Sequence, residues 1–347
     1  MTGKKHIAVT GGMGYVGSHT VVELISQGFE VTILDDLSTS SIRILDGIKE
    51  ITGVNPRFFE LDLCNVEAIR SAWKEMPPVD AVIHFAARKA VGESVRDPLL
   101  YYRNNFVSLL NLLQVMGNAG TNAIVFSSSC TVYGSPDKLP VNEKTPRKKA
   151  ESPYGYTKMV CEDMLESVSG STSLRALALR YFNPIGAHPS GRIGELPLNE
   201  PENLIPYITQ TATGERDELK VFGSDYNTPD GTCVRDYIHV VDVARAHIAA
   251  MERLLGNDQD QVSSYEVYNI GTGTGYSVLE VVQAFEKVTG KPLPHRLVER
   301  RPGDVEAIWA ETDLANRVLK WKAELGLEDM LRSAWNWQQN LSKQMIS

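Results

Sequence analysis

A tyrosine, a lysine and a serine near the middle of the chain have the types and spacing needed to move a proton from an alcohol. Tyr154 and Lys158 lie four positions apart in SPYGYTK, which places both side chains on one face of a helix. Ser152 and Pro153 are the expected N-cap and first residue of that helix. A tyrosine becomes a base near neutral pH only if its pKa falls by about three units, which a nearby ammonium group and the positive end of a helix favour. Ser129, at the end of AIVFSSS, is suited to hydrogen-bond the same substrate oxygen.

A glycine-rich segment near the start of the chain has the pattern of a phosphate-binding loop. Gly12, Gly14 and Gly17 satisfy G-x-G-x-x-G, and Gly11, Gly14 and Gly17 satisfy a looser spacing of the same kind. The strand-like run HIAVT precedes the loop and the helical pattern SHTVVELISQG follows it. Glycines in this context permit a tight turn and a close backbone approach, while the helix N-terminus favours a negative charge. The segment therefore predicts a pyrophosphate site.

Two aspartates follow the next strand-like run, VTILD. Asp35 lies 18 residues after Gly17, where dinucleotide-binding proteins place a carboxylate on the adenosine ribose. Asp35 and Asp36 together repel a 2′-phosphate, so the pair predicts NAD rather than NADP as the cofactor. A structural turn with a solvated acidic pair is the alternative. An oxidised nicotinamide ring in such a cofactor also favours the ionised form of Tyr154.

A second glycine-rich segment, GTGTG at 271–275, also lies between a strand-like run and a helical pattern. It has no acidic strand end about 20 residues further along, which the dinucleotide pattern requires. We therefore interpret it as a helix-entry loop, with Ser277 as the N-cap of the helix that follows.

The elements that must position these residues alternate between strands and helices through the first half of the chain. The apolar runs HIAVT, VTILD, AVIHFAA, AIVFSSS and LRALALRYF are separated by helical patterns at 15–27, 98–118 and 153–169 and by one polar stretch. Strands that are apolar throughout are typical of a parallel sheet covered on both faces. This predicts an α/β, Rossmann-type, doubly wound fold. In it, Tyr154 and Lys158 project towards the carboxyl ends of the strands, which favours chemistry over an ordinary surface pair.

The pattern changes at Asn183, where Pro- and Gly-rich connections begin. We expect an NAD-binding domain over 1–182 and a smaller substrate-binding domain over 183–347. The segment at about 240–271 contains a helix and a strand that return to the first domain, so the second domain is interleaved with the first.

Composition excludes several classes of protein. The 347 residues carry a formal charge of −8, which disfavours a general nucleic-acid or anionic-membrane surface. No apolar run approaches the length of a membrane span, and no secretory signal is evident at the start. The four cysteines have no C-x-x-C spacing, so we expect neither a metal site nor a disulfide framework, and a cytoplasmic location.

Six segments in this order resemble the extended short-chain dehydrogenase/reductase family, and closely its UDP-glucose 4-epimerase branch. They are TGGMGYVGSH, HFAARKAVGESV, FSSSCTVYG, SPYGYTK, LRYFNPIGAHPSG and GTCVRDYIHV. The resemblance covers about residues 5–340. It implies one bound NAD per subunit, interconversion of UDP-glucose and UDP-galactose in galactose metabolism, and a homodimer formed through the helices at about 98–118 and 153–169.

The resemblance also implies roles for individual residues. The catalytic group it implies is Tyr154, Lys158, Ser129 and Thr131. The cofactor contacts it implies are Gly11, Gly14, Tyr15, Val16, Gly17, Asp35, Asp36, Asp62, Leu63, Phe85, Ala86, Lys89, Asn104, Ser127, Tyr154, Lys158 and Tyr181. The substrate contacts it implies are Lys89, Ser129, Tyr154, Phe182, Asn183, Asn203, Leu204, Lys220, Val221, Phe222, Arg235, Arg301, Asp304 and Ile308. The arginines also make independent sense, because a diphosphate entering an acidic protein needs local guanidinium groups.

In the expected reaction, Tyr154 takes the proton of the sugar C4 hydroxyl while C4 gives a hydride to NAD. The resulting 4-keto sugar rotates about its link to the diphosphate and takes the hydride back on its other face. Three alternatives remain. A sugar-nucleotide 4,6-dehydratase carries an Asp-Glu pair after the catalytic hydroxyl, where this chain has Cys130 and Thr131. A net oxidoreductase releases NADH, and an NAD-binding regulator has no need of Ser129, Tyr154 and Lys158.

Ile308 holds the position at which the family has a small residue in enzymes that accept N-acetylhexosamines and a tyrosine in those that exclude them. A stiff, β-branched isoleucine falls between these cases. We expect a preference for UDP-glucose and UDP-galactose with weak activity on UDP-N-acetylhexosamines. The alternative is a core residue that does not face the sugar.

Overall fold

The computed structural model describes residues 4–198, 200–256, 263–301 and 303–346. Its centre is a sheet of seven parallel strands in the order β10-β6-β5-β4-β1-β2-β3. These strands are β1 (His6–Thr10), β2 (Glu30–Asp35), β3 (Arg57–Glu60), β4 (Ala81–His84), β5 (Ala123–Ser129), β6 (Arg175–Tyr181) and β10 (Tyr265–Ile270). The parallel, doubly wound sheet that the sequence predicts is confirmed.

Helices cover both faces of this sheet and fill the second part of the chain. They are α1 (Tyr15–Ser26), α2 (Arg43–Thr52), α3 (Val66–Glu75), α4 (Val91–Arg96), α5 (Pro98–Ala119), α6 (Pro153–Ser171), α7 (Leu204–Thr213), α8 (Val240–Leu255), α9 (Val278–Thr289), α10 (Asp313–Val318) and α11 (Leu327–Ile346). A 3₁₀ turn over Cys130–Tyr133 directly follows β5. In the described part of the chain, no helix is both long and apolar enough to span a membrane.

The alternation of side chains along β1 shows why the sheet needs a layer on each face. Ile7 and Val9 belong to a core cluster that includes Val21 of α1, whereas Ala8, between them, belongs to a second cluster with Leu109 of α5. Successive side chains of a strand point to opposite faces, so a strand without polar positions is stable only when both faces are covered.

The polar stretch after VTILD contains more structure than the sequence indicates. It folds into α2, β3 and α3, and Asn65 caps α3 by accepting hydrogen bonds from the backbone N–H groups of Glu67 and Ala68. β3 is the edge strand of the sheet and is only partly buried. An edge strand needs no continuous apolar run, which is why its sequence signal is weak.

The second part of the chain forms two small sheets and a separate core. One sheet has β9 (Val234–His239) at its centre, paired with β7 (Asn183–Ile185), β11 (Gly275–Ser277) and β13 (Ala307–Ile308). The other pairs β8 (Leu219–Phe222) with β12 (His295–Val298). Residues of α7, α9 and α11 pack together beside these sheets. The chain returns to the large sheet through α8 and β10; the domain boundaries themselves stay a prediction.

Candidate active site

A cavity of about 520 Å³ opens at the carboxyl ends of the strands of the large sheet. This is where ligands bind in doubly wound folds, because loops from neighbouring strands meet there. Its wall contains most of the residues predicted from the sequence: Gly11, Gly14, Tyr15, Val16, Gly17, Asp35, Asp36, Asp62, Leu63, Phe85, Ala86, Lys89, Asn104, Ser127, Ser129, Thr131, Tyr154, Lys158, Tyr181, Phe182, Asn183, Asn203, Arg235, Arg301, Asp304 and Ile308.

The first glycine loop occupies one end of the wall. Gly11 has a left-handed backbone (φ 68°), and a Cβ atom there would lie 2.6 Å from the backbone nitrogen of Ala86. A Cβ atom on Gly17 would lie 2.9 Å from the Cα atom of Gly12. Gly14 is the N-cap of α1 and brings no side chain to its N–H groups. The loop therefore presents a bare helix N-terminus to the cavity, which suits a phosphate.

Asp35 ends β2 beside this loop and is largely buried. Its Oδ2 accepts a hydrogen bond from the Met13 N–H at 3.0 Å, and its Oδ1 accepts from the Leu37 N–H and the Ser40 hydroxyl at 3.0 and 2.9 Å. Burial raises the pKa of this carboxyl group, while the three hydrogen bonds oppose the shift. The carboxylate thus orders the glycine loop, and a carboxylate has room for a further donor such as a ribose hydroxyl.

The predicted catalytic helix is α6, with Ser152 as its N-cap and Pro153 at its first position. Lys158 is buried, and its Nζ donates to the Ser127 carbonyl at 2.7 Å. Burial lowers the pKa of Lys158 to about 8. Burial also raises the pKa of the Tyr154 phenol, whereas a hydrogen bond with Ser129 opposes that rise. The desolvation of Tyr154 thus outweighs the hydrogen bond that lowers its pKa.

Three buried polar atoms of wall residues have no hydrogen-bond partner among the described residues. They are the Arg88 Nε, the Thr131 hydroxyl oxygen and the Asn183 Oδ1. Buried polar atoms are nearly always paired, so their presence in a cavity wall points to a ligand that supplies the partners. A hydroxyl-rich ligand such as a sugar fits the Thr131 and Asn183 oxygens.

Two arginines and an aspartate form the charged side of the cavity. Arg301 contacts Asp304 with an Nη2 to Oδ1 distance of 2.9 Å, and Arg235 lies 3.9 Å from the same oxygen. Each guanidinium group has more donors than this carboxylate can accept, so the pair can bind a diphosphate. The wall also contains an ion pair in which the Lys89 Nζ lies 3.5 Å from the Glu195 Oε1.

Four predicted substrate contacts lie outside the wall of this cavity. Leu204 begins α7, Val221 is buried in a core cluster, and Lys220 is exposed between Leu219 and Val221 on β8. Phe222 is partly exposed, and its ring centre lies 5.9 Å from the Arg301 guanidinium carbon. These four assignments stay predictions.

Comparison with known families connects this geometry to a family. The model of the NAD dependent epimerase/dehydratase family matches residues 7–271. This chain belongs to the NAD-dependent epimerase/dehydratase family. The match runs from β1 to the end of β10 and so spans the whole large sheet.

Many proteins that are similar to this chain over nearly its full length are named UDP-glucose 4-epimerase. The UDP-glucose 4-epimerase of Bacillus subtilis is 51% identical over 96% of this chain and 96% of its own length. The UDP-glucose 4-epimerase of Stenotrophomonas maltophila, solved with NAD and a formylated UDP-arabinopyranose, is 47% identical with a TM-score of 0.94, over 98% of this chain and 99% of that one. The enzyme of Bifidobacterium longum, solved with NAD⁺ and UDP, is 45% identical with a TM-score of 0.92, over 97% and 98%.

The sequence did not indicate several other parts of the wall of this epimerase-family site. A hydroxyl-bearing run, Ser38–Ser41, lies beside Asp35 and Asp36, and the described stretches 194–198 and 200–203 supply Glu195, Pro197 and Glu202. The Ser/Thr run directly after the acidic pair is a signal that can be read from sequence. The two stretches have no such signal, because only packing places them over the cavity.

The second glycine loop differs from the first in what its N–H groups bind. The buried carboxylate of Asp236 accepts from the N–H groups of Thr272 and Gly273 at 2.9 and 3.0 Å, and from the Ala310 N–H at 3.1 Å. Ser277 caps α9 in a reciprocal arrangement with Glu280. The helix-entry interpretation is confirmed, since a protein carboxylate occupies the place that a phosphate would need.

Proposed function

We propose that this chain interconverts UDP-glucose and UDP-galactose with NAD as its resident cofactor. The observation that carries this proposal is the layout of one cavity. Its wall contains a bare helix N-terminus beside Asp35, the Tyr154 and Lys158 pair, and the arginines Arg235 and Arg301. A cavity with these groups can hold a dinucleotide and a UDP-sugar together, with the reacting end of each next to that of the other. The names of the full-length relatives support the same function.

The residues of the chain fit the cofactor by their lack of side chains as well as by their charges. Gly11, Gly14 and Gly17 permit the tight turn of the loop, because a Cβ atom on each would crowd neighbouring backbone atoms, and Asp35 and Asp36 oppose a 2′-phosphate. When bound, the oxidised nicotinamide ring accepts a hydride from the sugar C4 and returns it, and its positive charge favours the Tyr154 phenolate.

The chemistry of the chain itself is proton transfer. Tyr154 takes the proton of the sugar C4 hydroxyl at its phenolic oxygen and gives it back after the sugar has turned. The Ser129 hydroxyl hydrogen-bonds the same sugar oxygen, and the Lys158 ammonium favours the ionised tyrosine. Tyr154 is buried, which excludes water from the proton that is exchanged.

Uneven binding of the two ends of the substrate allows the sugar to turn. The diphosphate faces the Arg235 and Arg301 guanidinium groups, which hold it by charge-assisted hydrogen bonds. The sugar faces neutral side chains such as Thr131, Asn183 and Phe182. A strongly held diphosphate and a weakly held sugar permit rotation of the 4-keto sugar about its link to the diphosphate.

One experiment tests this function against its alternatives. The purified protein is incubated with UDP-galactose without added NAD, and the nucleotide-sugar products and the NADH absorbance are measured. Formation of UDP-glucose without NADH supports the proposal. Stoichiometric NADH indicates a net oxidoreductase, a 4-keto-6-deoxy sugar indicates a dehydratase, and no conversion indicates a regulator; each of these contradicts it.

We also propose that the protein is a cytoplasmic homodimer formed through α5 and α6. Leu99, Leu110 and Tyr156 on these helices are large apolar side chains with high exposure, and the Tyr156 ring packs against that of Tyr102. Association of two copies through this face removes the apolar surface from water. Light scattering after size-exclusion chromatography tests the dimer, and Leu99→Asp is expected to convert it to monomer.

Ile308 supports the proposed preference for sugars without an N-acetyl group. It is buried, lies in the wall of the cavity, and packs in a small core cluster with Phe182 and Cys130. Its side chain thus takes space beside Phe182. We expect Ile308→Gly to raise kcat/KM for UDP-N-acetylglucosamine relative to UDP-glucose, and an unchanged ratio would exclude Ile308 from specificity.

A further inference from the structure

The helix that carries Tyr154 and Lys158 has a third charged residue on the same stripe. Glu162 follows Lys158 by four positions, as Lys158 follows Tyr154, so all three lie on one face of α6. Tyr154 and Lys158 line the cavity, whereas Glu162 is fully buried outside its wall. The proposed mechanism does not use this carboxylate, and a buried charge persists only when it is paired and hydrogen-bonded.

The carboxylate of Glu162 is held by two neighbouring strands. The Arg180 guanidinium group donates from Nε to Oε1 at 2.9 Å and from Nη2 to Oε2 at 2.6 Å. The Ser128 hydroxyl donates to Oε1 at 2.5 Å. Ser128 and Arg180 are register partners on β5 and β6, so Glu162 joins α6 to both strands at one level.

The residues on either side of Ser128 face the cavity. Ser127 accepts the Lys158 ammonium at its carbonyl, and its hydroxyl lies 2.6 Å from the Tyr181 hydroxyl. Ser129 lies in the same wall as Tyr154 and opposes the rise of the Tyr154 pKa. Because side chains alternate along a strand, anchoring Ser128 behind the sheet fixes Ser127 and Ser129 in front of it.

The same network reaches the turn that follows Ser129. Arg180 donates from Nη1 to the Tyr133 hydroxyl at 3.1 Å, and Tyr133 donates to the Asn269 Oδ1 at 2.6 Å. Tyr133 ends the 3₁₀ turn that carries Thr131, and Asn269 lies on β10. The backbone around Ser129 is therefore anchored by hydrogen bonds of Ser128 before it and of Tyr133 after it.

We infer that Glu162, Ser128 and Arg180 are positioning residues that fix the Ser129 hydroxyl and the Ser127 carbonyl against Tyr154 and Lys158. The inference rests on the proposed function. Catalytic groups must be held within a fraction of an ångström, and a rigid helix anchored one turn beyond its active residues achieves this. A network that only stabilised the fold would change stability without changing turnover in the folded protein.

The decisive variant is Ser128→Ala, which removes the link between Glu162 and β5 without changing any charge. Glu162→Gln is less informative, because it leaves the Arg180 guanidinium group buried beside a neutral partner and strongly destabilises the fold. The matched control is Thr121→Val, which removes one buried hydroxyl next to the opposite end of β5, where it bonds the Val79 carbonyl.

We expect Ser128→Ala to lower kcat about tenfold, with KM for UDP-galactose and Kd for UDP unchanged. Thr121→Val should retain the kcat of the wild type at a similar loss of Tm. Equal kcat values for Ser128→Ala and Thr121→Val would overturn the inference.

A second measurement does not depend on activity. Amide hydrogen exchange of the segment 123–133, followed by mass spectrometry, should be faster in Ser128→Ala than in the wild type, since the end of β5 loses its anchor. Unchanged exchange overturns the inference, whatever the activity. A wild-type protein with no epimerase activity overturns the proposed function instead, and the exchange result then decides the inference by itself.

Discussion

The two glycine-rich loops of this molecule look alike in sequence and differ in what their backbone N–H groups bind. Both follow a strand of the large sheet and precede a helix. The loop at 11–17 lines the cavity, and Asp35 takes one of its N–H groups, that of Met13. The loop at 271–275 lies outside the cavity wall, and Asp236 takes two of its N–H groups.

This difference teaches that a glycine pattern specifies a backbone shape and leaves the ligand undecided. An anion-binding loop needs N–H groups without an internal acceptor, and a buried carboxylate removes them as effectively as a bound phosphate. The helix caps show the same contrast. Gly14 brings no side chain to the start of α1, whereas Ser277 and Glu280 close the start of α9.

The largest expected effect tests the proton transfer in the cavity that the loop at 11–17 lines. Tyr154→Phe should lower kcat by about 10²–10⁴-fold, because it removes the hydroxyl that exchanges the proton. Retained NAD and Kd for UDP should be unchanged, since neither loop is altered. Steady-state kinetics measures kcat, and assay of the nucleotide released on denaturation measures the retained NAD. Turnover within a few-fold of the wild type would place the base elsewhere.

The next effect compares the loops directly. In Gly17→Ala, the new Cβ would lie 2.9 Å from the Cα atom of Gly12, so we expect at least about a tenfold loss of retained NAD. In the matched variant Gly271→Ala, the Cβ would lie 2.5 Å from Asp236 Oδ2. That variant should lower Tm while the folded protein keeps its NAD. Equal loss of NAD in both would break the comparison.

The carboxylate that closes the second loop gives a smaller effect. Both oxygens of Asp236 accept N–H groups, so Asp236→Asn must turn its own NH₂ group towards a donor. We expect the free energy of unfolding to fall by about 1–3 kcal/mol in urea titrations. NAD retention should not change. A variant as stable as the wild type would show that the carboxylate does not hold the loop.

The smallest effect comes from the buried ammonium group of Lys158. Burial lowers its pKa to about 8, so the ammonium form dominates below that pH and is lost above it. If the charge favours the Tyr154 phenolate, kcat should be about half its plateau value near pH 8 and fall further at higher pH. Circular dichroism at each pH checks that the fold persists. Lys158→Met should lack this alkaline limb, and an identical limb in that variant would assign it to another group.

Features that depend on a few consecutive residues could be predicted from the sequence. The turn of the first loop, the Ser152 cap of α6 and the Ser277 cap of α9 follow from local backbone geometry and side-chain reach. The parallel sheet follows from apolar runs that need cover on both faces. The edge strand β3 and its flanking helices lacked such runs and were not predicted.

Features that depend on which strands become neighbours were decided by the tertiary structure. The sequence shows Glu162 four positions after Lys158, but only the pairing of β5 with β6 brings Ser128 and Arg180 to its carboxylate. Likewise, Asp236 meets the second glycine loop because β9 pairs with β11 and β13. The physical reason is the distance along the chain over which each kind of interaction acts. Local dihedral and capping preferences act over about four residues, whereas hydrogen bonds between distant segments exist only after strand order and register have been fixed by packing.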